Sequence, residues 1–438
     1  MWSEFDILSI MRFIADLHVH SKFSRATAKN LDLENLYLWA QYKGIHVVGT
    51  GDFVHPKWFK ELEEKLEPAE KGLFKLKEEF AKPIDAQVSK SCKGQVRFLL
   101  TVEISNIYKR HDKVRKVHNL IYAPSLNAAQ KIQTRLGAIG NISSDGRPIL
   151  GLDSYDLLKI TLDADAKNLF VPAHIWTPWF SALGSMGGFD SMEDAFGDLT
   201  PHIFAVETGL SSDPPMNWRL KQLDDFILIS NSDAHSPAKL GREANIFDTE
   251  FSYDGIYKAL SDKNDKGLVS TLEFFPEEGK YHYDGHRSCE VRWHPQETIK
   301  NKGICSGCGK PVTVGVMARV EALADRAEGS KSKRWRPYQN IVPLPEMIAE
   351  AKDMGTASKA VQEAYMNILS KLGNEFYILL DCPVADIKEA AGDVLAEGIN
   401  RMRQGKVEIA AGYDGEFGTI KIFESGEREH IEQQLSLF

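Results

Sequence analysis

The sequence predicts an α/β domain built on about seven strands, then a small Cys/His module, then a mainly helical third region. Three observations carry that expectation. Short β-branched runs alternate with helical patterns from Arg12 to about Phe275, the rhythm of a sheet with parallel strands. Histidines and carboxylates recur just past the C-terminal ends of those runs, and cysteines with metal-ligand spacing follow directly after them.

The strands are expected at Arg12–Leu17, Ile45–Gly49, Arg97–Glu103, Val117–Tyr122, Leu169–Ala173, Ile203–Glu207 and Phe226–Ile229. Between them Leu33–Tyr42, apolar at Leu33, Leu36, Tyr37 and Ala40, reads as a helix, and the charged stretch Pro56–Phe80 as a solvated one. The pattern breaks at Pro276-Glu277-Glu278-Gly279, which divides the chain into a first unit at 1–277, a Cys/His module at 278–311, a helical region at 312–432 and a tail at 433–438. In the third unit Pro345–Met354 and Lys359–Leu372 are the best amphipathic stretches, with Pro345 at a first helical position and Gly355 as the stop. Glu328–Arg336 reads as an exposed basic loop.

The 438 residues carry a formal net charge of -9, which argues against a small all-basic nucleic-acid module but leaves local basic faces open. Five cysteines in so long a chain do not make a disulfide framework, so a reducing cytoplasm is expected. Met1–Arg12 lacks the pattern of a signal peptide, and no apolar run approaches the roughly 20 residues of a membrane span. A cytoplasmic protein without a membrane partner is expected.

Asp16-Leu17-His18-Val19-His20 follows the first strand and Asp52-Phe53-Val54-His55 the second, Glu103 ends the third, His118 lies on the fourth, His174 follows the fifth, and Asp233-Ala234-His235 follows the seventh. In a β/α barrel those ends converge on one face. Six of the 13 histidines (His18, His20, His55, His118, His174, His235) and three acids (Asp52, Glu103, Asp233) would then line one cleft. Imidazole with carboxylate suits Zn²⁺, Mn²⁺ or Fe, and so many donors exceed one four-coordinate ion, so two or three metals are implied. His18 and His20 are alternate residues of an extended segment, so both rings reach one ion. The motif Asp16–Ser21 with Glu103, His118, His174 and Asp233–His235 resembles the PHP (polymerase and histidinol phosphatase) superfamily, which implies a distorted seven-stranded β/α barrel with up to three catalytic divalent metals such as Zn, Mn or Mg. The chain departs from many relatives at Ser24-Arg25-Ala26, where they have an acid, and at Gly51-Asp52-Phe53-Val54-His55.

Cys289, His294, Cys305 and Cys308 can close a tetrahedral structural Zn²⁺, with His282 or His286 able to substitute for His294. The glycines of Cys305-Ser306-Gly307-Cys308-Gly309 permit the turn that aims amides at the thiolates. Between His286 and Asn340 eleven Lys/Arg stand against five Asp/Glu, among them Arg319, Arg326, Lys333 and Arg334. A second basic patch runs from Lys109 and Arg110 to Lys116, between Glu103 and His118. Both patches suit phosphates. The aromatics Trp176, Trp179 and Phe180, just past His174, suit stacking on a base.

A metal cleft, a zinc module and basic patches together point to a nuclease. The stretches Gly49–Pro56, Ser144–Asp153, Glu207–Pro214, Cys305–Gly309 and Arg319–Arg326 resemble the endonuclease Q family over nearly the whole chain. That resemblance implies incision of double- or single-stranded DNA on the 5′ side of deaminated bases (uracil, hypoxanthine, xanthine) or abasic sites, with the lesion base taken out of the helix. A nucleoid-associated protein is expected, and within the turns 141–148 and 207–217 and the first motif the candidates are Ser212 or Asn217 for reading the base and Arg25 and Arg147 for holding a phosphate. Gln434, Leu435, Leu437 and Phe438 are similar to the short peptide by which bacterial repair proteins dock on the sliding clamp. Two rival readings are a PHP phosphatase acting on a small phosphomonoester and a DNA-binding scaffold without catalysis.

Overall fold

The computed structural model describes residues 10–424 and 427–428, so the tail residues Gln434–Phe438 lie outside the described residues. All seven expected strands are present: β1 Ile10–Asp16, β2 Val47–Gly49, β3 Arg97–Arg110, β4 Lys113–Ala123, β5 Leu169–Pro172, β6 Ala205–Glu207 and β7 Ile227–Ile229. β1, β2 and β3 pair in parallel, and β6 pairs in parallel with β7. β4 departs from the parallel expectation. It is antiparallel to both β3 and β5, and with β3 it forms a long hairpin whose tip is the basic segment around Lys109–Lys116.

The ring closes without a continuous ladder. β5 meets β6 through the Ile175 amide on the Glu207 carbonyl at 3.1 Å, and β7 meets β1 through a parallel bridge between Val19 and Ala234. Side-chain amides take the place of the missing rungs at this last seam. Asn231 accepts from the Leu17 amide at 2.8 Å, and Asn245 donates to Ser230 and Asn231 at 2.7 and 3.0 Å. These groups have no water to turn to, so the pairing keeps buried backbone from being orphaned. Outside the ring the sheet continues from β1 through β8 (Ala244–Glu250) and β9 (Leu268–Glu273) to β10 (Tyr338–Asn340), a strand contributed from beyond the cysteine module.

Period-two alternation sorts the strand residues. Phe13, Ala15, Val47, Leu99, Leu120, Tyr122, Val171, Ala205, Ile227 and Ile229 pack together inside the ring. Val48, Phe98, Leu100, Val102, Ile121, Phe170 and Val206 face the other way, into the larger core under the helices. The first helix, α1 (Leu33–Lys43), starts at the Asp32 cap and stops at Gly44, which takes the left-handed φ of 84° that a side chain would resist. The charged stretch is not one helix. It splits into α2 (Pro56–Lys65), a strand pair Leu66–Pro68 and Phe74–Leu76, and a helix Glu78–Asp85, because Pro68 lies in an extended segment and Gly72 turns at positive φ against Tyr253.

In the third region helices Leu344–Lys352 and Lys359–Leu372 stand where amphipathicity placed them, although Asp353 at φ 52°, not Gly355, ends the first. This region is fastened to the ring by a buried ion pair. Lys43 Nζ lies 2.7 Å from Glu375 Oε2, whose carboxylate also accepts from the Tyr365 hydroxyl and the Leu344 amide. Removing one partner of such a pair costs about 3–5 kcal/mol, since the other is left buried and charged. The Glu328–Arg336 loop is exposed in part only, because Arg334 turns inward.

Candidate metal centre

β3 ends in an alternation that sends Leu99, Thr101, Glu103 and Ser105 to the inner face, so Glu103 emerges at the top of the ring interior. The antiparallel register puts His118 of β4 opposite Ser105, and His118 Nε2 lies 3.1 Å from the Ser105 hydroxyl. His118 Nδ1 is thereby turned to Glu103 Oε1, at 2.6 Å, and His174 Nε2 reaches the same oxygen at 3.1 Å. The other oxygen, Oε2, faces His18 Nε2 at 3.6 Å and His20 Nε2 at 3.4 Å. Asp233 Oδ1 completes this side, 3.4 Å from His18 and 2.9 Å from His20.

Two donor groups result, His18/His20/Glu103/Asp233 and Glu103/His118/His174, sharing one carboxylate. Donors at 2.0–2.2 Å from a tetrahedral ion stand about 3.4 Å apart, close to the spacings seen here. A second feature fits a cation. Each imbalance of donor and acceptor is resolved on the far side of the ring: His18 Nδ1 meets Glu207 at 3.0 Å, His20 Nδ1 meets Asp52 at 3.3 Å, and His174 Nδ1 meets the Thr177 hydroxyl at 3.1 Å. His18 Nε2 is buried with no hydrogen-bond partner and is aimed at the carboxylates. An imidazole fixed through one nitrogen with its other directed inward is the arrangement of a metal ligand.

The electrostatics agree. Burial opposes charge on His18 and His20, but the surrounding carboxylates outweigh it, raising His18 well above its ordinary value and His20 to about 9. Despite complete burial, Glu103 is held far below the carboxylate range by His118, Arg147 and His18, and Asp233 by His18 and His20. The cleft stabilises positive charge. Burial drives His118 the other way, to about 4, which keeps that ring neutral and able to donate its lone pair.

Three expected ligands stand elsewhere. Asp52 is in neither group. It accepts from the Ser21 amide at 2.7 Å and the Ser21 and Ser24 hydroxyls at 2.6 and 2.8 Å, and so orients His20. His55 caps α2, contacts the Ser143 carbonyl at 3.1 Å and stacks on Phe23. His235 stands at the rim, its ring 4.6 Å from that of His20. Among the described residues the cleft brings two donor groups together, and Asp52, His55 and His235 lie outside them.

In the cysteine module the four donors are His286, Cys289, Cys305 and Cys308, mutually within 4.8 Å. His286 takes the place expected of His294 because His286 ends the strand Asp284–His286 beside the knuckle, with Nδ1 3.5 Å from Cys308 Sγ. His294 caps the helix Pro295–Lys300 and faces Glu328. Burial raises the Cys305 thiol, but the Gly307 and Cys308 amides outweigh it and bring it down to about 7.

Several residues expected on DNA are occupied within the protein. Arg319 donates to the Leu183 and Phe189 carbonyls, Arg326 clamps Asp224 with both nitrogens, Arg334 serves the Phe204, Asp225 and Leu260 carbonyls, and Arg110 the Ala195 carbonyl. Trp176 is buried and donates to Asn217 Oδ1 at 2.8 Å, while Asn217 Nδ2 donates to Ser212 and the Asp213 carbonyl. Neither Ser212 nor Asn217 is presented to a base, because both are buried and satisfied. Arg25, Lys109, Lys333 and Trp179 are exposed, Lys116 lies over the Trp179 ring, and Arg147 Nη1 reaches Glu103 Oε2 at 3.0 Å inside the cleft. Sequence reasoning missed Glu207, Ser105, Thr177 and Asn231. The strand-end rule that found Glu103 applies equally to Glu207, the last residue of β6.

A model of the MJ0043 C-terminal domain family matches residues 343–406. The uncharacterized protein MJ0043 of Methanocaldococcus jannaschii is 33% identical over 285 residues, which cover 62% of this chain and 35% of that protein, so the chain spans about a third of its length. The uncharacterized protein YqxK of Bacillus subtilis is 28% identical over 426 residues, 94% of this chain and 99% of YqxK. Among solved structures, the lesion-specific endonuclease PfuEndoQ of Pyrococcus furiosus superposes with a TM-score of 0.82 at 31% identity, covering 97% of this chain and 99% of that one. The chain belongs to the endonuclease Q family. An endonuclease Q bound to a 27-mer duplex with an abasic lesion at its active site matches with a TM-score of 0.79 at 32% identity, over 94% of this chain and 97% of that one. Among the described residues of this endonuclease Q relative, no helix is long and apolar enough to cross a membrane.

Beneath the donor groups lies a set of buried acids. Glu273 accepts from the Ser230 and Thr208 hydroxyls at 2.9 and 3.2 Å, and burial pushes it from its ordinary 4.5 up to about 7. Glu243 is raised as well, by burial and then by Glu273. A carboxyl whose folded pKa lies above its unfolded one contributes stability that is complete below about pH 4.5 and lost as pH rises through 7. Thermal melts of the Glu273→Gln variant are therefore expected to exceed wild type by about 3 °C or more at pH 8 and to match it near pH 4.5.

Proposed function

We propose that the protein is a metal-dependent endonuclease that incises DNA 5′ of deaminated bases (uracil, hypoxanthine, xanthine) or of abasic sites, leaving 3′-hydroxyl and 5′-phosphate ends. The observation that carries this reading is the pair of donor groups joined by Glu103 at the top of the ring, in a chain whose full-length structural relatives include a lesion-specific endonuclease and a complex with an abasic duplex. Divalent cations, Zn, Mn or Mg, held by those two groups would supply a water nucleophile at neutral pH and neutralise the charge of the attacked phosphate. The side chains do the rest. Asp233 is the most open member of its group, with about a quarter of its side chain exposed, so it faces the incoming phosphate. Arg147 extends along the cleft wall and offers its guanidinium to a phosphate oxygen, with Glu103 fixing its position. Arg25, Lys109 and Lys333 meet the backbone farther out, and Trp179, backed by Lys116, stacks on a base flanking the lesion.

The occupied arginines support DNA binding indirectly, by holding the loops beneath these contacts. A structural zinc on His286, Cys289, Cys305 and Cys308 would pin the hairpin of residues 284–293 to the knuckle. Asp233→Asn is expected to lower incision of an abasic duplex by about 100-fold or more while duplex binding stays within about threefold. Unchanged cleavage would contradict the role of that group.

The peptide Gln434–Phe438 carries, in this reading, a sliding-clamp contact. Two aliphatic side chains and an aromatic ring suit an apolar pocket, with Gln434 fixing orientation by hydrogen bonds. Deleting these five residues is expected to abolish co-elution with a bacterial clamp and to leave incision of free abasic duplex unchanged. Equal clamp binding by the truncated chain would refute it.

A further inference from the structure

We propose that Glu207 is a positioning residue for both donor groups of the cleft, and that Asn231 in turn positions Glu207. The inference rests on reading the cleft as a metal centre and adds to it a part that supplies no ligand. Glu207 is fully buried at the end of β6, on the inner face set by Ala205. Both of its oxygens lie 3.0 Å from His18 Nδ1. Oε2 also accepts the His174 amide at 2.9 Å, and Oε1 accepts from Asn231 Nδ2 at 2.9 Å. One carboxylate thus holds a member of the His18 group by its side chain and a member of the His118 group by its backbone.

The consequences for the two histidines differ. Accepting a hydrogen bond from His18 Nδ1–H leaves the Nε2 lone pair directed at Glu103 and Asp233, where Nε2 has no other partner. Glu207 therefore selects the tautomer as well as the ring orientation. His174 has a φ of 28°, a sparsely populated backbone state for a residue with a Cβ, whose cost of order 1–3 kcal/mol persists only where neighbours enforce it. The Glu207 carboxylate on its amide is one enforcing contact. Gly209 leaves the room this conformation needs, since a Cβ there would stand 2.4 Å from that of His174.

Asn231 is the joint between this device and the ring. It donates to Glu207 while its carbonyl oxygen accepts from Leu17, the residue before His18, and from Asn245. The amide that closes the β7–β1 seam is therefore the one that sets Glu207. Closure of the ring and aim of His18 are a single event.

The test is Mn²⁺ alone titrated calorimetrically into the full-length protein and its Glu207→Gln variant. Glutamine keeps the volume but presents an NH₂ to neighbours that are donors themselves, so Mn²⁺ affinity is expected to fall about 10- to 100-fold at both groups, with the melting temperature in chelator lowered by a few degrees and the protein still folded. Wild-type affinity in the variant would overturn the proposal. Should Glu207→Gln fail to fold, nitrogen-15 NMR of histidine-labelled, Zn²⁺-loaded wild-type protein decides: a proton on His18 Nδ1 supports the proposal and a proton on Nε2 overturns it. Wild-type protein that binds Mn²⁺ at both groups yet leaves abasic duplex uncut would refute the nuclease reading and leave Glu207's positioning role standing.

Discussion

Glu103 sits where one carboxylate must serve four imidazoles. Its two oxygens divide the cleft, Oε1 toward His118 and His174 and Oε2 toward His18 and His20. Such an anion, buried without compensation, would cost many kcal/mol, and four imidazoles and Arg147 supply that compensation. The antiparallel turn of β4 is part of that supply, because only this direction brings His118 opposite Ser105 and beside Glu103. Asp52, Glu207, Ser105 and Thr177 then hold the outer nitrogens of the rings, which makes the arrangement rigid before any ligand arrives.

Much of this was legible in the sequence because strand ends are marked by composition. β-Branched runs locate the seven strands, and the cleft residues lie on them, as Glu103 and His118 do, or within a few residues of their ends, as His18, His174 and Asp233 do. Direction is not so marked. A strand reads the same in either orientation, so β4 passed for parallel. Asp52 and His55 follow β2 as plausibly as His18 follows β1, yet the Ser21 and Ser24 hydroxyls capture one and the start of α2 captures the other. In the cysteine module His286 and His294 flank Cys289 within a few residues along the chain, and the hairpin decides between them.

Charge was the least legible property. Eleven bases between His286 and Asn340 can be counted, but their partners are about a hundred residues away: Asp224 for Arg326, the Phe204 and Asp225 carbonyls for Arg334, Leu183 and Phe189 for Arg319. These arginines neutralise the protein itself. What remains for a polyanion is a thinner set of exposed cations around a cleft that is strongly acidic at its centre. Under the proposed function such a surface is expected to bind undamaged duplex weakly, leaving affinity to the contacts that form when a nucleotide enters the cleft.

One carboxylate, Glu103, joins both donor groups, and metal stoichiometry tests that coupling most directly. Mn²⁺ bound in the cleft is counted by electron paramagnetic resonance for the full-length protein and for Glu103→Gln. Two ions per chain in the wild type, with both sites lost or weakened together in the variant, is the result this account predicts. Loss of a single ion with the other held at unchanged affinity would contradict it.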